Sequence, residues 1–220
     1  MWRRFLDVTG FVLAGGLSRR MGQPKAGLTL GSETMLERQL RLLRAVTPRV
    51  RVVGPAAGSG GIESVIRSLT PAGVRIVTDE LPGRGPLGGI YSALHSTPTE
   101  FNLFLSCDLP CMEARLLRRL RQRAIETGAD VTVAQSRDGR VQPLVAVYRR
   151  RALPAVRRSL ERGQNRVTSF YRRVHCVILD WAELSRAGFP ARVFGNINTP
   201  DDYERARRRH GGVPATPDRR

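Results

Sequence analysis

The chain reads as an α/β protein, a mostly parallel sheet with helices on both faces. Three observations predict this. Short apolar runs of strand length alternate with amphipathic stretches of helical period. That order builds βαβ units with right-handed crossovers. The run Phe101-Asn102-Leu103-Phe104-Leu105-Ser106-Cys107 is nearly all apolar, as in a strand covered on both faces. Polar, glycine-containing segments come directly after strand-like runs, and parallel sheets place ligands beyond the carboxyl ends of their strands.

Residues 10–14, Gly-Phe-Val-Leu-Ala, are a short apolar run and open the sheet. Residues 33–45 put Leu36, Leu40 and Leu43 on one face, the stripe of an amphipathic helix. Residues 49–53 read as the second strand, stopped by Gly54-Pro55, and 56–61 as a glycine-rich loop. Residues 74–77 are the third strand and 88–96 a helix. After the 101–107 strand, residues 113–126 set arginines between leucines at helical spacing. Residues 131–134 and 144–148 are further strands, and 150–162 and 200–209 are helices. One domain over residues 8–209 is expected, with flexible termini at 1–7 and 210–220, the latter rich in Arg, Gly and Pro.

Composition narrows the function. No apolar run approaches the roughly 18 residues that span a bilayer, and Asp7 interrupts the N-terminal stretch before any leader-like segment forms. Three sparse cysteines (Cys107, Cys111, Cys176) suit a reducing compartment, so a cytoplasmic location is expected. Cys107 and Cys111, with no further Cys or His nearby, do not make a zinc site. The net charge is +18, with 13 basic and 8 acidic residues in 1–109 against 24 and 11 in 110–220. Such a field favours anionic partners. The excess sits on helix-like stretches without interleaved aromatics, which reads as solvated helix faces and makes nucleic acid an unlikely partner.

Among 37 basic residues there is one lysine, Lys25. It closes the segment that follows the first strand, where Gly15-Gly16 leaves backbone amides free to approach an anion. The Walker spacing and GxGxxG are both absent. A compact ammonium among bare amides suits phosphate better than a guanidinium fork. Asp108 follows the 101–107 strand, and the next helix starts too late for it to be a simple cap. A carboxylate beside a phosphate site calls for a divalent cation such as Mg²⁺, which takes carboxylate and phosphate oxygens together. Asp79 follows the third strand in Asp79-Glu80-Leu81-Pro82-Gly83; it reads either as turn chemistry or as a contact to a nucleotide sugar or base. Lys25, Asp79 and Asp108 should therefore meet at one edge of the sheet.

These residues carry a resemblance. Leu13-Ala14-Gly15-Gly16-x-Ser18-x-Arg20-Met21-Gly22-x-x-Lys25 resembles the signature of the molybdenum cofactor guanylyltransferases. Asp79 with Gly85-Pro86-Leu87-x-Gly89-Ile90, then Cys107-Asp108-x-Pro110, Gln142-Pro143-Leu144 and Asn196-Ile197-Asn198-Thr199-Pro200-x-Asp202, match its later motifs in order. The resemblance covers roughly residues 10–208. It implies a Rossmann-like three-layer sandwich of the nucleotide-diphospho-sugar transferase type. It implies transfer of GMP from GTP to the terminal phosphate of molybdenum-molybdopterin, with release of pyrophosphate. Residue by residue, it implies that Leu13, Ala14 and Gly15 hold the nucleotide and Lys25 its phosphates. Asp79 would contact GTP, Asp108 would bind GTP and ligate Mg²⁺, and Lys25 and Asp108 would be catalytic. Asn196 and Asn198 would lie on the pterin side, and transient contact with molybdopterin-supplying or acceptor enzymes would follow. The family's asparagine after the second strand is absent here, where Gly54-Pro55-Ala56 stands, so that contact is not assigned. Ala14-Gly15-Gly16 and the Gly-Pro-Leu-x-Gly motif resemble guanylyl rather than cytidylyl relatives. The alternatives are cytidylyl transfer, guanylyl transfer to another phosphorylated metabolite, or a non-catalytic basic nucleic-acid binder.

Overall fold

A computed structural model describes residues 8–15, 23–56, 58–59 and 61–210. Its centre is a seven-stranded sheet. In chain order the strands are β1 (Val8–Leu13), β4 (Arg49–Gly54), β5 (Arg75–Thr78), β6 (Phe101–Ser106), β7 (Val131–Gln135), β8 (Val141–Arg149) and β9 (Cys176–Leu179). A separate two-residue hairpin pairs β2 (Thr29–Leu30) with β3 (Glu33–Thr34). Across the sheet the order is β5-β4-β1-β6-β8-β7-β9. All neighbours run parallel except β8, which is antiparallel to both β6 and β7.

The period-2 alternation of each strand divides the core into two layers. Val8 and Val12 of β1, Leu103 and Leu105 of β6, and Val145 and Val147 of β8 face one layer. There they meet helices α1 (Met35–Arg44), α2 (Gly61–Leu69), α4 (Ala114–Thr127), α6 (Trp181–Arg186) and α7 (Pro200–Arg209). Phe11, Phe104, Ala146 and Tyr148 face the other layer, against α3 (Gly85–His95) and α5 (Leu153–Glu161). The three-layer expectation is met. Helix α1 starts where a capping box forms: Thr34 Oγ1 accepts from the Glu37 amide, and Glu37 accepts from the Thr34 amide. Gly10 lets α1 lie close on β1, since a Cβ there would stand 3.2 Å from Leu43 Cδ2 of the helix.

Several elements differ from the sequence reading. The loop expected over 56–61 gives way at Gly61 to α2, and β9 and α6 were not foreseen. Strand β8 begins at Val141, three residues earlier than the apolar run, because a polar Gln142 and Pro143 lie inside it. The expected flexible termini, 1–7 and 211–220, lie outside the described residues, while His210 is the cap that ends α7. The arginines of α4 are largely engaged within the fold. Arg119 and Arg123 share Glu183 at 2.8 Å each, and Arg115 donates to the carbonyls of Ala187 and Gly188. Among the described residues no helix is long and apolar enough to cross a membrane.

Candidate active site

A cavity of about 510 Å³ opens beyond the carboxyl ends of β4, β1 and β6. Leu13, Ala14, Gly15, Lys25, Asp79 and Asp108 all line it, so the strand ends bring together the residues that sequence order scatters. Gly16, Ser18, Arg19, Arg20, Met21 and Gly22 lie outside the described residues.

The strand ends are tied to one another by backbone. The Ala14 amide donates to Val53 O at 3.0 Å, and the Cys107 amide to Leu13 O at 3.3 Å. The first bond continues the β1–β4 ladder past the end of the strand, and the second continues that of β1–β6. Gly15 therefore sits over β4, where a Cβ would stand 3.4 Å from the backbone of Gly54 and Pro55.

Lys25 opens a 3₁₀ turn, Lys25–Gly27, anchored by buried Ala26. Its Nζ donates to Asp108 Oδ2 at 3.1 Å and to Asn198 Oδ1 at 2.7 Å. The other Asp108 oxygen accepts from Ser106 Oγ at 2.6 Å. The ion pair is about four-fifths buried on each side, so its charges are less screened than on an open surface. Cys107 between these groups stays a thiol: burial first, and then the Asp108 charge, push its pKa well above the ordinary value.

Asn198 reaches Lys25 because the C-terminal segment is pinned twice. The Ile197 amide donates to Asp108 O at 2.9 Å, and buried Ile197 anchors the segment in the core. Asp202 Oδ2 then accepts from the Asn198 and Thr199 amides at 3.0 and 2.9 Å, closing a capping box with Thr199 at the head of α7. Those bonds, the Asn198 amide foremost, hold the Asp202 carboxyl below its ordinary pKa. The Asn-x-Asn-Thr-Pro-x-Asp spacing is thus a helix-start signal that delivers one side chain to the lysine. Asn196 is exposed and is not among the residues lining the cavity.

Asp79 stands on the far wall, beyond edge strand β5. Its Oδ1 accepts from the Leu81 amide at 3.0 Å and lies 3.3 Å from Ser92 Oγ of α3. The turn reading of Asp79 is therefore realised, and the same side chain still borders the cavity. Gly88 permits the approach of this loop to α3: a Cβ there would stand 2.8 Å from Leu81 O and 3.3 Å from Asp79 Oδ1.

Sequence reasoning missed Ser106, Ser92 and the place of Leu144 in the cavity wall. Ser106 carried a signal, a polar residue closing an apolar strand two before the aspartate. Leu144 stood in the Gln142-Pro143-Leu144 motif without an assigned role, and Ser92 carried no signal.

Residues 10–177 match the family described as MobA-like NTP transferase domain. A protein of Pelotomaculum thermopropionicum named probable molybdenum cofactor guanylyltransferase is 36% identical over 203 residues, covering 92% of this chain and 93% of that protein. The crystal structure of molybdopterin-guanine dinucleotide biosynthesis protein A from Archaeoglobus fulgidus superposes with a TM-score of 0.78, covering 92% of this chain and 98% of that one. At 23% identity that likeness speaks to the fold. A Mycobacterium tuberculosis protein solved as a manganese complex shares the fold with a TM-score of 0.62 at 21% identity, covering 91% of this chain and 97% of its own. With a family match over most of its length and a relative above 30% identity along nearly all of both chains, this protein belongs to the MobA-like NTP transferases and is a nucleotidyltransferase.

Proposed function

We propose that the chain transfers GMP from GTP to the terminal phosphate of molybdenum-molybdopterin, forming the guanine dinucleotide of the cofactor and releasing pyrophosphate. The observation that carries this reading is the Lys25–Asp108 pair, its lysine also held by Asn198, in the lining of a cavity that Asp79 shares, in a chain of this family. The cavity's apolar walls, Leu13 and Val53, suit a base and sugar, and its charged centre suits phosphates.

The attacking group would be a phosphate whose second pKa is about 6, so it is already ionised at neutral pH and needs no general base. The residues then have two tasks, bringing anions together and holding the attack in line on the α-phosphorus. Lys25 is preorganised for the first: its ammonium is held in place before any ligand arrives, so no reorganisation is needed as charge develops. Gly15 leaves the β1 end free of side chain, so phosphate can reach backbone amides. Asp79 would orient the nucleotide from the opposite wall through hydrogen bonds to its donors.

The donor set fits a divalent cation. Asp108 is a carboxylate, the oxygen donor that hard cations take, and an ion bound there would share it with the Lys25 ammonium. Among the described residues no group of three or more His, Cys, Asp or Glu forms a closed metal cage. Asp108 would therefore hold Mg²⁺ jointly with phosphate oxygens. Bound there, the ion would neutralise the triphosphate and the leaving pyrophosphate. A cytoplasmic location and transient contact with enzymes that supply molybdopterin or accept the product complete this reading.

The test is pyrophosphate release from GTP or CTP, with and without Mg²⁺, in the presence of molybdenum-molybdopterin. Release with GTP and Mg²⁺, at least about tenfold faster than with CTP, is the expected result; tenfold corresponds to about 1.4 kcal/mol of transition-state discrimination. No release with GTP sinks the guanylyl reading, and faster release with CTP moves the chain to the cytidylyl alternative.

A further inference from the structure

Strand β8 is interrupted where it meets the cavity. Its ladder to β6 runs from Arg149 to Val145. Its ladder to β7 pairs Ala146 with Val133, then jumps so that the next β7 residue, Ala134, pairs with Gln142. One step on β7 thus corresponds to four on β8, and Pro143 and Leu144 have no partner in either ladder. Leu144 from this bulge lines the cavity. Bulges of this kind re-aim a side chain beside a site.

The displaced backbone is held by a tyrosine of the same strand. Tyr148 is fully buried, and its hydroxyl donates to Pro143 O at 2.7 Å. In a regular strand residues five apart stand about 16 Å apart, beyond the reach of a tyrosine, so this bond exists only because the strand bulges. The Tyr148 hydroxyl also lies 2.7 Å from that of Tyr171, in the 3₁₀ turn Val167–Arg173. Tyr148 has one hydroxyl proton and a carbonyl cannot donate, so Tyr171 must be the donor in the second bond. The chain of bonds runs Tyr171 to Tyr148 to Pro143. Phe104, edge-on to Tyr148 at 5.3 Å, and Phe170 fix the ring. Burial holds both phenols protonated well past neutrality.

The strand order says which ligand this serves. Asp108 ends β6; β1, β4 and β5, with Lys25 and Asp79 beyond their ends, lie on one side of it, and β8 lies on the other. With the nucleotide on the first side, the second is left to the group that attacks it. We infer that Tyr148 and Tyr171 are positioning residues that hold the Pro143–Leu144 bulge as the wall against which the phosphorylated acceptor is seated. The identity of that acceptor rests on the proposed function; the tyrosine relay does not.

Tyr148→Phe keeps the ring and removes the bond to Pro143. Steady-state kinetics should show the acceptor KM rising about tenfold, with the GTP KM changed less than twofold. Tyr171→Phe should raise the acceptor KM about threefold, and the double variant should add little to Tyr148→Phe. Hydrogen exchange at the Leu144 and Val145 amides, which needs no substrate, should accelerate at least fivefold in Tyr148→Phe while the β1 and β6 amides keep their rates. Unchanged exchange at 144–145 overturns the relay, and so does an equal rise of both KM values. Faster local exchange in a protein whose wild type turns over no GTP would keep the relay and refute the proposed function instead.

Discussion

Asp79 and Asp108 look alike in sequence, each an aspartate just past the end of a parallel strand, yet the fold treats them differently. Asp108 ends a central strand. It is met there by the ammonium of a loop that leaves the neighbouring strand, and by a hydroxyl of its own strand. Asp79 ends the edge strand, and among the described residues it accepts from neutral donors, the Leu81 amide and the Ser92 hydroxyl. The difference follows from position in the sheet. A central strand end has neighbours on both sides to supply a counter-charge, and an edge strand end has one. Under the proposed function the contrast fits the two walls: the carboxylate paired with an ammonium suits the phosphate end, and the one met by neutral donors suits hydrogen-bond donors of a sugar or base.

Four substitutions break or sharpen this contrast. Asp108→Asn keeps the shape and removes the charge that holds Lys25. Single-turnover pyrophosphate release should fall roughly 10³-fold, about 4 kcal/mol of barrier, with the thermal midpoint moved by only a few degrees. Release within tenfold of wild type would make the two aspartates equivalent and end the contrast. Lys25→Arg keeps the charge, but the fork cannot meet Asp108 Oδ2 and Asn198 Oδ1 from one point; release should fall about 10²-fold, on the scale of one lost transition-state donor. Normal turnover by Lys25→Arg would mean that any cation suffices. Asp79→Asn should raise the GTP KM about tenfold and leave kcat within threefold, the mark of a ground-state contact. A selective loss of kcat would place Asp79 at the reacting phosphate after all.

The smallest effect belongs to the support of the cluster. Asp202→Ala removes the capping box that presents Asn198 and should cost about 1 kcal/mol at neutral pH. Because the folded-state pKa of Asp202 is lowered, its contribution is complete above the ordinary value near 3.9 and is lost as pH falls through the folded value. Urea midpoints of wild type and variant should therefore converge as pH falls through the lowered folded value. A gap that persists there would mean that Asp202 acts by packing rather than by charge.

Much of this was legible in one dimension. The β1, β4, β5 and β6 strands follow from short apolar runs and the α1 and α4 helices from apolar period, because the fold buries those residues. The meeting of Lys25, Asp79 and Asp108 follows from strand polarity: in a parallel sheet, whatever comes after the strands shares one edge. Strand β9 was not legible, since Cys176-Val177-Ile178-Leu179 is short and becomes a strand only by pairing with β7. Helix α2 was hidden behind the glycines that precede it.

The residue types at the carboxyl edge, and the order in which they arrive there, were determined by the sequence itself, since period and polarity are local or cumulative along the chain. Tertiary structure alone decided which partner each one takes. It chose Asn198 rather than Asn196 for the lysine, set an ammonium against Asp108 and neutral donors against Asp79, and placed Pro143, just ahead of the expected 144–148 strand, in a bulge whose Leu144 lines the cavity. Each of these depends on contacts between separate elements or on the register between strands, and such contacts leave no periodic trace in the chain.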